Sequence, residues 1–227
     1  MAYIDPKYYV QVYRSFRSID PQAFREIVRF YEKEEKAILG LPFDAFFEML
    51  VAYVDALFEI GAYRKHLLMV DSVIELSIEN NITEYRAEDL FQKMLFRKAA
   101  SHFNIQQFDQ AEHILRELLK ISPHQDNIAS FYQKCRLKAR PNLLNSARAG
   151  SVFFFLLAAL IISIEVLFVR PWYQIYIDLI ERVRNTSFLL GCSILILGFG
   201  CNYYLSHRDL VQLKMNIIST KQKTKPV

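Results

Sequence analysis

The segment 151–172, SVFFFLLAALIISIEVLFVRPW, decides how this chain must fold. Glu165 is its only charged residue before Arg170. A helix needs about 20 apolar residues to cross the hydrocarbon core of a bilayer. The run from 149 to 169 has that length, and so does a second, uncharged run from 186 to 205. The sequence therefore predicts two membrane-spanning helices.

These spans divide the chain into three predicted parts. Residues 1–148 carry charges throughout and form a helical domain, residues 149–205 form a transmembrane hairpin, and residues 206–227 form a basic tail. Between the spans, the segment 171–184 has an apolar face that includes Trp172 and Tyr176. This pattern predicts an interfacial helix with both aromatic side chains at headgroup depth. Alternatively, the segment extends one span outward from the membrane.

Basic residues are concentrated on the outer flanks of the two spans. The connecting loop has only three basic residues, Arg170, Arg182 and Arg184. By the positive-inside rule, both termini are predicted to be cytoplasmic. The amino-terminal segment 1–16 has no apolar core and does not resemble a secretory signal. The flanking basic residues are Lys134, Arg136, Lys138, Arg140 and Arg148 before the first span, and Arg208, Lys214, Lys221, Lys223 and Lys225 after the second.

The domain before the spans is predicted to be all-α, an antiparallel bundle of about six or seven helices without strands. Apolar residues recur at helical spacing from Phe47 to Phe58, from Phe91 to Phe103 and from Ile114 to Leu119. The amino-terminal aromatics, from Tyr8 to Tyr31, either fill the core of this bundle or present a surface to a partner.

The stretch 95–123, LFRKAASHFNIQQFDQAEHILRELLKISP, resembles a tetratricopeptide repeat. Phe108 matches the aromatic after the inter-helix turn, Ala111 the small packing position, and Pro123 the proline that ends the second helix. A weaker copy has Gly61 and Tyr63 at its turn but departs from the pattern at His66 and Ile78, and the two turns are 45 residues apart. The resemblance implies repeat-like helical hairpins that bind a protein.

Catalytic and metal-binding patterns are not found in the sequence. The five histidines form no HExxH spacing, and no glycine-rich phosphate loop occurs. The three cysteines have no CxxC spacing and two of them lie in the second span, so reduced thiols are expected. The net charge of +4 is too small to imply nucleic-acid binding by itself, and the sequence has no direct nucleic-acid motif. The sequence predicts a protein that is not an enzyme and uses no cofactor or metal.

Each span carries a face suited to helix packing. Ser151, Ala158 and Glu165 are seven residues apart in the first span. Small residues let helix backbones approach closely, which is a main source of association in lipid. We expect these faces to bring copies of the chain together as a homo-oligomer. In the second span, the face holds Ser187, Gly191, Gly198 and Cys201.

Glu165 has three possible explanations. A carboxylate at mid-bilayer costs on the order of 2.5 to 3.5 kcal/mol. Its side chain either reaches the outer headgroups or pairs with Arg170, or faces a wet pore formed by several copies, or pairs with Asn202 or another polar group of the second span. The sequence leaves these alternatives open.

The overall layout, a small helical domain followed by two spans and no enzyme motif, resembles the two-transmembrane effectors of bacterial anti-phage systems of the retron type. This resemblance implies an inner-membrane protein in antiviral defence. A cytoplasmic protein or ribonucleoprotein restrains it, and on release it permeabilises the bilayer and causes abortive infection. The alternative is an adaptor, anchored in the membrane, that recruits a protein partner and forms no pore.

Overall fold

The computed structural model describes residues 6–139, 141–169 and 177–223. The described residues form nine α-helices and one short β-ribbon, so the chain belongs to the all-α class. The expectation of no strand is wrong at this ribbon, which is only two residues long on each side. The helices are α1 Pro6–Arg17, α2 Phe24–Ile38, α3 Phe43–Glu59, α4 Tyr63–Glu79, α5 Leu90–Asn104, α6 Phe108–Ile121, α7 Asp126–Ala139, α8 Pro141–Ile164 and α9 Ile177–Lys223.

The chain divides into two compact units, 1–128 and 129–227. The boundary lies inside α7, twenty residues before the division that the sequence suggested. The second half of α7 belongs with the apolar helices because it contacts α9. The Ser206 hydroxyl donates to the Gln133 carbonyl at 3.2 Å, and Arg136 pairs with Asp209 at 2.8 Å.

In the first unit, consecutive helices pack as antiparallel neighbours around α3. Eight residues of α3 are buried, including Met49, Val54 and Leu57, which have no exposed surface. Tyr31 of α2 stacks on Tyr53 of α3 with ring centroids 4.1 Å apart. Of the amino-terminal aromatics, Phe16 and Tyr31 are buried, whereas Tyr8 is exposed and donates a hydrogen bond to Glu34 at 2.6 Å.

The ribbon pairs β1 Glu84–Tyr85 with β2 Glu88–Asp89 in antiparallel register, and it lies in the connection between α4 and α5. This connection explains why the two repeat-like turns are 45 residues apart, because it adds residues between the two helical hairpins. Asp89 then begins α5 as its N-cap, accepting a hydrogen bond from the Gln92 backbone N–H at 2.9 Å.

In the second unit, α8 and α9 are long and apolar enough to cross a membrane. The most apolar 18-residue windows within Leu144–Phe168 and Ile177–Ser219 have mean hydropathies of 2.6 and 1.7. Most of their large apolar side chains are exposed, which is what lipid contact requires of a spanning helix. The first helix continues as a π-helical turn, Glu165–Val169.

The second apolar helix is longer than its predicted span at both ends. Residues 177–184 continue directly into it and are not a separate interfacial helix, and residues 206–223 continue it beyond the span. The reason is local, since no glycine or proline interrupts 177–190 or 201–223. The structure therefore follows the alternative in which the inter-span segment extends a spanning helix. Residues 171–176 lie outside the described residues.

Candidate functional site

The candidate site is the seam where α8 and α9 pack against each other as antiparallel helices. Two glycines of α9 face α8 at close range. A Cβ on Gly191 would lie 2.8 Å from the Phe155 ring and 3.3 Å from the Phe154 Cβ, and one on Gly198 would overlap the Ala147 Cβ. The small-residue face of the second span thus packs on the first span of the same chain.

The seam buries small and polar side chains. Ser151, Ala158 and Ser187 are between 2% and 6% exposed. The Ser187 hydroxyl also approaches the Phe154 carbonyl oxygen at 3.4 Å. Cys201, by contrast, is exposed and lies off the seam. On a straight helix a heptad pattern drifts by about 20° per repeat, so beyond Gly198 the buried side of α9 holds Asn202, which is 4% exposed, and not Cys201.

Glu165 is buried in the seam and paired. Its side chain is 2% exposed, and its Oε2 accepts a hydrogen bond from the Arg184 guanidinium at 2.8 Å. Arg184 also donates to Glu181 at 3.1 Å, one helical turn earlier in α9. Of the three explanations, this geometry matches pairing with a polar group of the second helix, but the partner is Arg184 and not Asn202. Arg170 lies outside the described residues.

The ion pair lies near one end of the apolar length of the hairpin. Arg148 stands at the other end of the first span, with its guanidinium 5.7 Å from the centroid of the Phe199 ring. Arg148 and Glu165 are 17 positions apart, or about 25 Å along a helix. A hydrocarbon core is about 30 Å thick. A bilayer centred on this stretch would place Glu165 and Arg184 just inside one edge of the core.

A second polar cluster, which sequence analysis did not predict, lies where α9 meets α7. Asn202 and Ser206 are 4% and 1% exposed, and Asp209 pairs with Arg136. The Asn202 Oδ1 is buried and has no hydrogen-bond partner among the described residues. The signal was present in the sequence, because positions 202, 206 and 209 share one helical face. It was missed because the span was expected to end at 205.

The two predicted interfacial anchors, Trp172 and Tyr176, lie outside the described residues, so nothing follows for them from the structure.

The repeat-motif residues lie at the ends and contacts of the α3–α4 and α5–α6 hairpins. Gly61 links α3 to Tyr63 at the start of α4, with a φ of +77° that favours glycine. Phe108 begins α6 and meets Phe103 edge to face at 5.3 Å. Ala111 is fully buried, and α6 ends at Ile121, two residues before Pro123.

His66 shows how the first hairpin accommodates a large residue where the repeat has a small one. Its ring is fully buried and its Nδ1 is 2.9 Å from the Ser101 hydroxyl. Burial and the nearby Arg97 charge lower the pKa of His66 to about 4. The ring is therefore neutral at pH 7 and packs as a core side chain, with the Phe58 ring 5.5 Å away.

Among the described residues, no group of three or more His, Cys, Asp or Glu side chains is arranged to hold a metal ion. Comparison with protein-family models, curated proteins and solved structures gives no match for this chain.

Proposed function

We propose that this chain is a membrane effector that a cytoplasmic protein or ribonucleoprotein partner restrains and that permeabilises the inner membrane when released, in abortive-infection defence. One observation carries the proposal. The surface that α8 and α9 bury between them is small and polar and includes the Glu165–Arg184 ion pair, whereas their outward surface is large and apolar.

An inert anchor has no need of an ion pair between its two helices. Two apolar helices with small residues at their contact already associate in lipid. A buried ion pair is often no more stable than apolar residues of similar volume, because both charges lose their hydration. Polar groups within membrane spans are accordingly associated with pathways for ions and solutes. The buried Glu165 and its half-buried partner Arg184 are therefore the groups that we assign to the permeable state.

In this proposal the paired hairpin is the resting state. When several hairpins assemble, Glu165, Arg184, Ser151 and Ser187 can replace their contacts within one chain by the same contacts with neighbouring chains. The seam would then line a shared, hydrated path, and the apolar outer faces would remain in lipid. The first unit is the part of the chain that a restraining partner would hold.

The second candidate is the membrane-anchored adaptor, and a different observation favours it. The packing faces of the seam are occupied within a single chain, since Gly191 packs against Phe154 and Phe155, and Gly198 packs against Ala147. A hairpin whose packing faces are satisfied internally needs no second copy. An adaptor would use the hairpin only to hold the helical domain at the membrane.

Expression of the full chain in bacterial cells, without any partner, separates the two candidates. Membrane potential is followed with a voltage-sensitive dye together with growth. The effector predicts depolarisation that Glu165→Ala and Gly198→Leu abolish. Gly200→Leu is the matched control, because a Cβ at Gly200 meets nothing within 4 Å. If the unmodified chain reaches the membrane in the same amount as the variants and the cells keep a normal membrane potential and growth rate, the adaptor is favoured.

A further inference from the structure

The first unit has a pocket of about 330 Å³ between α1, α2, α3, α5 and the turn of the ribbon. Its size is at the lower end of the range for ligand pockets. The floor is apolar and is formed by side chains from the end of α1, from the connection that follows it and from the first turns of α2. Charged side chains of both signs surround it. The apolar floor consists of Phe16, Ile19, Pro21, Phe24 and Ile27, and the charged residues are Arg17, Glu48, Asp55, Glu59, Arg86 and Arg97.

One of the three arginines is already committed to the fold. Arg97 donates to Asp55 at 2.9 Å and to Glu59 at 3.0 Å, and its guanidinium lies 4.9 Å from the centroid of the Phe58 ring. These contacts neutralise two of the three carboxylates that line the pocket. Arg97 is therefore part of the pocket wall and not a free anchor for a ligand.

Of the other two arginines at the pocket, Arg17 forms one long ion pair, with Glu48, and Arg86 forms none among the described side chains. Arg86 is exposed at the tip of the ribbon, stacks on Tyr85 at 5.3 Å, and has no carboxylate partner among the described side chains. Arg17 is 64% exposed, stacks on Tyr13 at 5.7 Å, and approaches Glu48 only to 3.8 Å. The neighbouring rings orient the two guanidiniums, and the N–H donors that do not contact Tyr85 or Glu48 are available to an anion.

We propose that this pocket binds a segment of a partner protein in which an acidic side chain adjoins an apolar one. The apolar side chain fills the floor lined by Phe16, Phe24 and Ile27, and the carboxylate receives hydrogen bonds from Arg17 and Arg86. Guanidinium and carboxylate form short, charge-assisted pairs of defined geometry, so the two arginines select for the acid.

The charges at the pocket favour a protein over a nucleic acid. A nucleic-acid site needs a net positive groove that follows a run of phosphates. Here Glu48, Asp55 and Glu59 balance the three arginines. A phosphate backbone passing over the pocket would meet all three carboxylates, whereas a single acidic side chain needs to reach only Arg17 and Arg86, and the nearest carboxylate, Glu48, is already paired with Arg17.

This inference rests on the proposed function in one respect, namely that the helical domain is where a partner acts on the chain. It names the surface and the chemistry of that partner. The two can fail separately, because peptide binding and membrane depolarisation are measured independently on the same full-length protein.

The test uses the full chain purified in detergent micelles and a phage-displayed library of random peptides. Enriched peptides are then synthesised with a fluorescent label, and their affinities are measured by anisotropy. We expect enrichment of Asp or Glu beside Phe, Leu, Ile or Met. Arg17→Glu and Arg86→Glu should each weaken binding by about tenfold or more, as expected for a charged hydrogen bond. Arg29→Glu, at an exposed position outside the pocket lining, is the matched control.

Several outcomes would overturn the inference. These are no enriched peptide, enrichment without acidic residues, equal binding by the Arg86→Glu and Arg29→Glu proteins, or displacement of the peptide by oligouridylate, which would indicate a nucleic-acid site. Circular dichroism melting checks the fold of each variant. If Arg17→Glu unfolds the chain, Arg86→Glu still tests the inference, because Arg86 lies at an exposed turn. Depolarisation without peptide binding refutes this inference alone, and peptide binding without depolarisation refutes the effector alone.

Discussion

Replacement of Gly198 by alanine should separate the two spanning helices. The new Cβ would overlap the Ala147 Cβ, an atom fixed directly to the backbone of α8. Carbon atoms pack at about 3.5 to 4.0 Å. Because neither methyl group can rotate away, the helices must move apart by more than about 1 Å around this point.

The magnitude follows from how far each neighbour can yield. Overpacking of a fitted contact typically costs about 1 to 3 kcal/mol. We expect Gly198→Ala to lie near 3 kcal/mol, since backbone must move. Gly191→Ala should lie near 1 kcal/mol, because the Phe155 ring at 2.8 Å is the end of a rotatable side chain. Gly200→Ala should be neutral or stabilise by about 0.5 kcal/mol, because alanine is the better helix former.

A reciprocal exchange tests the named contact. Ala147→Gly combined with Gly198→Ala moves one methyl group across the seam and keeps the same residues in the pair. The double variant should recover most of the stability that Gly198→Ala loses. This recovery is a coupling energy between two positions in contact, and two unrelated positions would give additive effects instead.

Helix pairing can be followed directly in mixed micelles titrated with dodecyl sulfate. Energy-transfer labels at Val152 and Ile196, both exposed on the outer surface of the hairpin, would report the separation of α8 and α9 in a cysteine-free background. The reasoning is refuted if Gly198→Ala and Gly200→Ala shift the midpoint equally, or if Ala147→Gly fails to rescue Gly198→Ala.

Three further predictions concern the ion pair, the ribbon and His66. Arg184→Met should destabilise the hairpin by up to about 3 kcal/mol, because it removes the positive charge 2.8 Å from the buried Glu165. Glu165→Met combined with Arg184→Met should return close to the original stability in the same titration. Ala87→Gly should stabilise the first unit by about 1 kcal/mol in urea unfolding followed by circular dichroism, because Ala87 holds a φ of +64° at the ribbon turn; a destabilised variant would contradict this. The pKa of His66 is about 4 in the folded chain and 6.5 in the unfolded chain, so between these pH values the unfolded chain binds one more proton. The free energy of unfolding should therefore fall by up to about 3 kcal/mol as the pH decreases from about 6.5 to about 4. His66→Gln should remove this pH dependence, and an unchanged pH profile in that variant would refute the prediction.

The sequence predicted the helices better than their ends and contacts. Two apolar helices were expected and are present, because a span depends on the length and hydropathy of a continuous segment. The ends of the second helix were not predicted, since α9 begins nine residues before the expected span and continues well beyond it. Nothing in hydropathy marks where a helix ends once it leaves the membrane. The ribbon was missed because two-residue strands are too short to show an alternating pattern.

The packing faces of the hairpin were also foreseen only in part. The positions of Gly191 and Gly198 on one face follow from helical spacing, but spacing does not say which helix that face meets. Sequence analysis expected other copies of the chain, and the structure brings the first span of the same chain against both glycines. Their partner depends on the approach of residues distant in sequence, since Gly191 is 36 residues from Phe155 and Gly198 is 51 residues from Ala147.

By itself, the sequence determined that this chain is helical and carries two segments fit for a bilayer, because hydropathy and periodicity are local properties. Only the tertiary structure decided that Glu165 meets Arg184, that Asn202 and not Cys201 lies on the buried side of α9, and that Arg17 and Arg86 share a pocket. These pairings depend on how helices distant in sequence lie against each other, and the charge of a residue alone does not identify its neighbour.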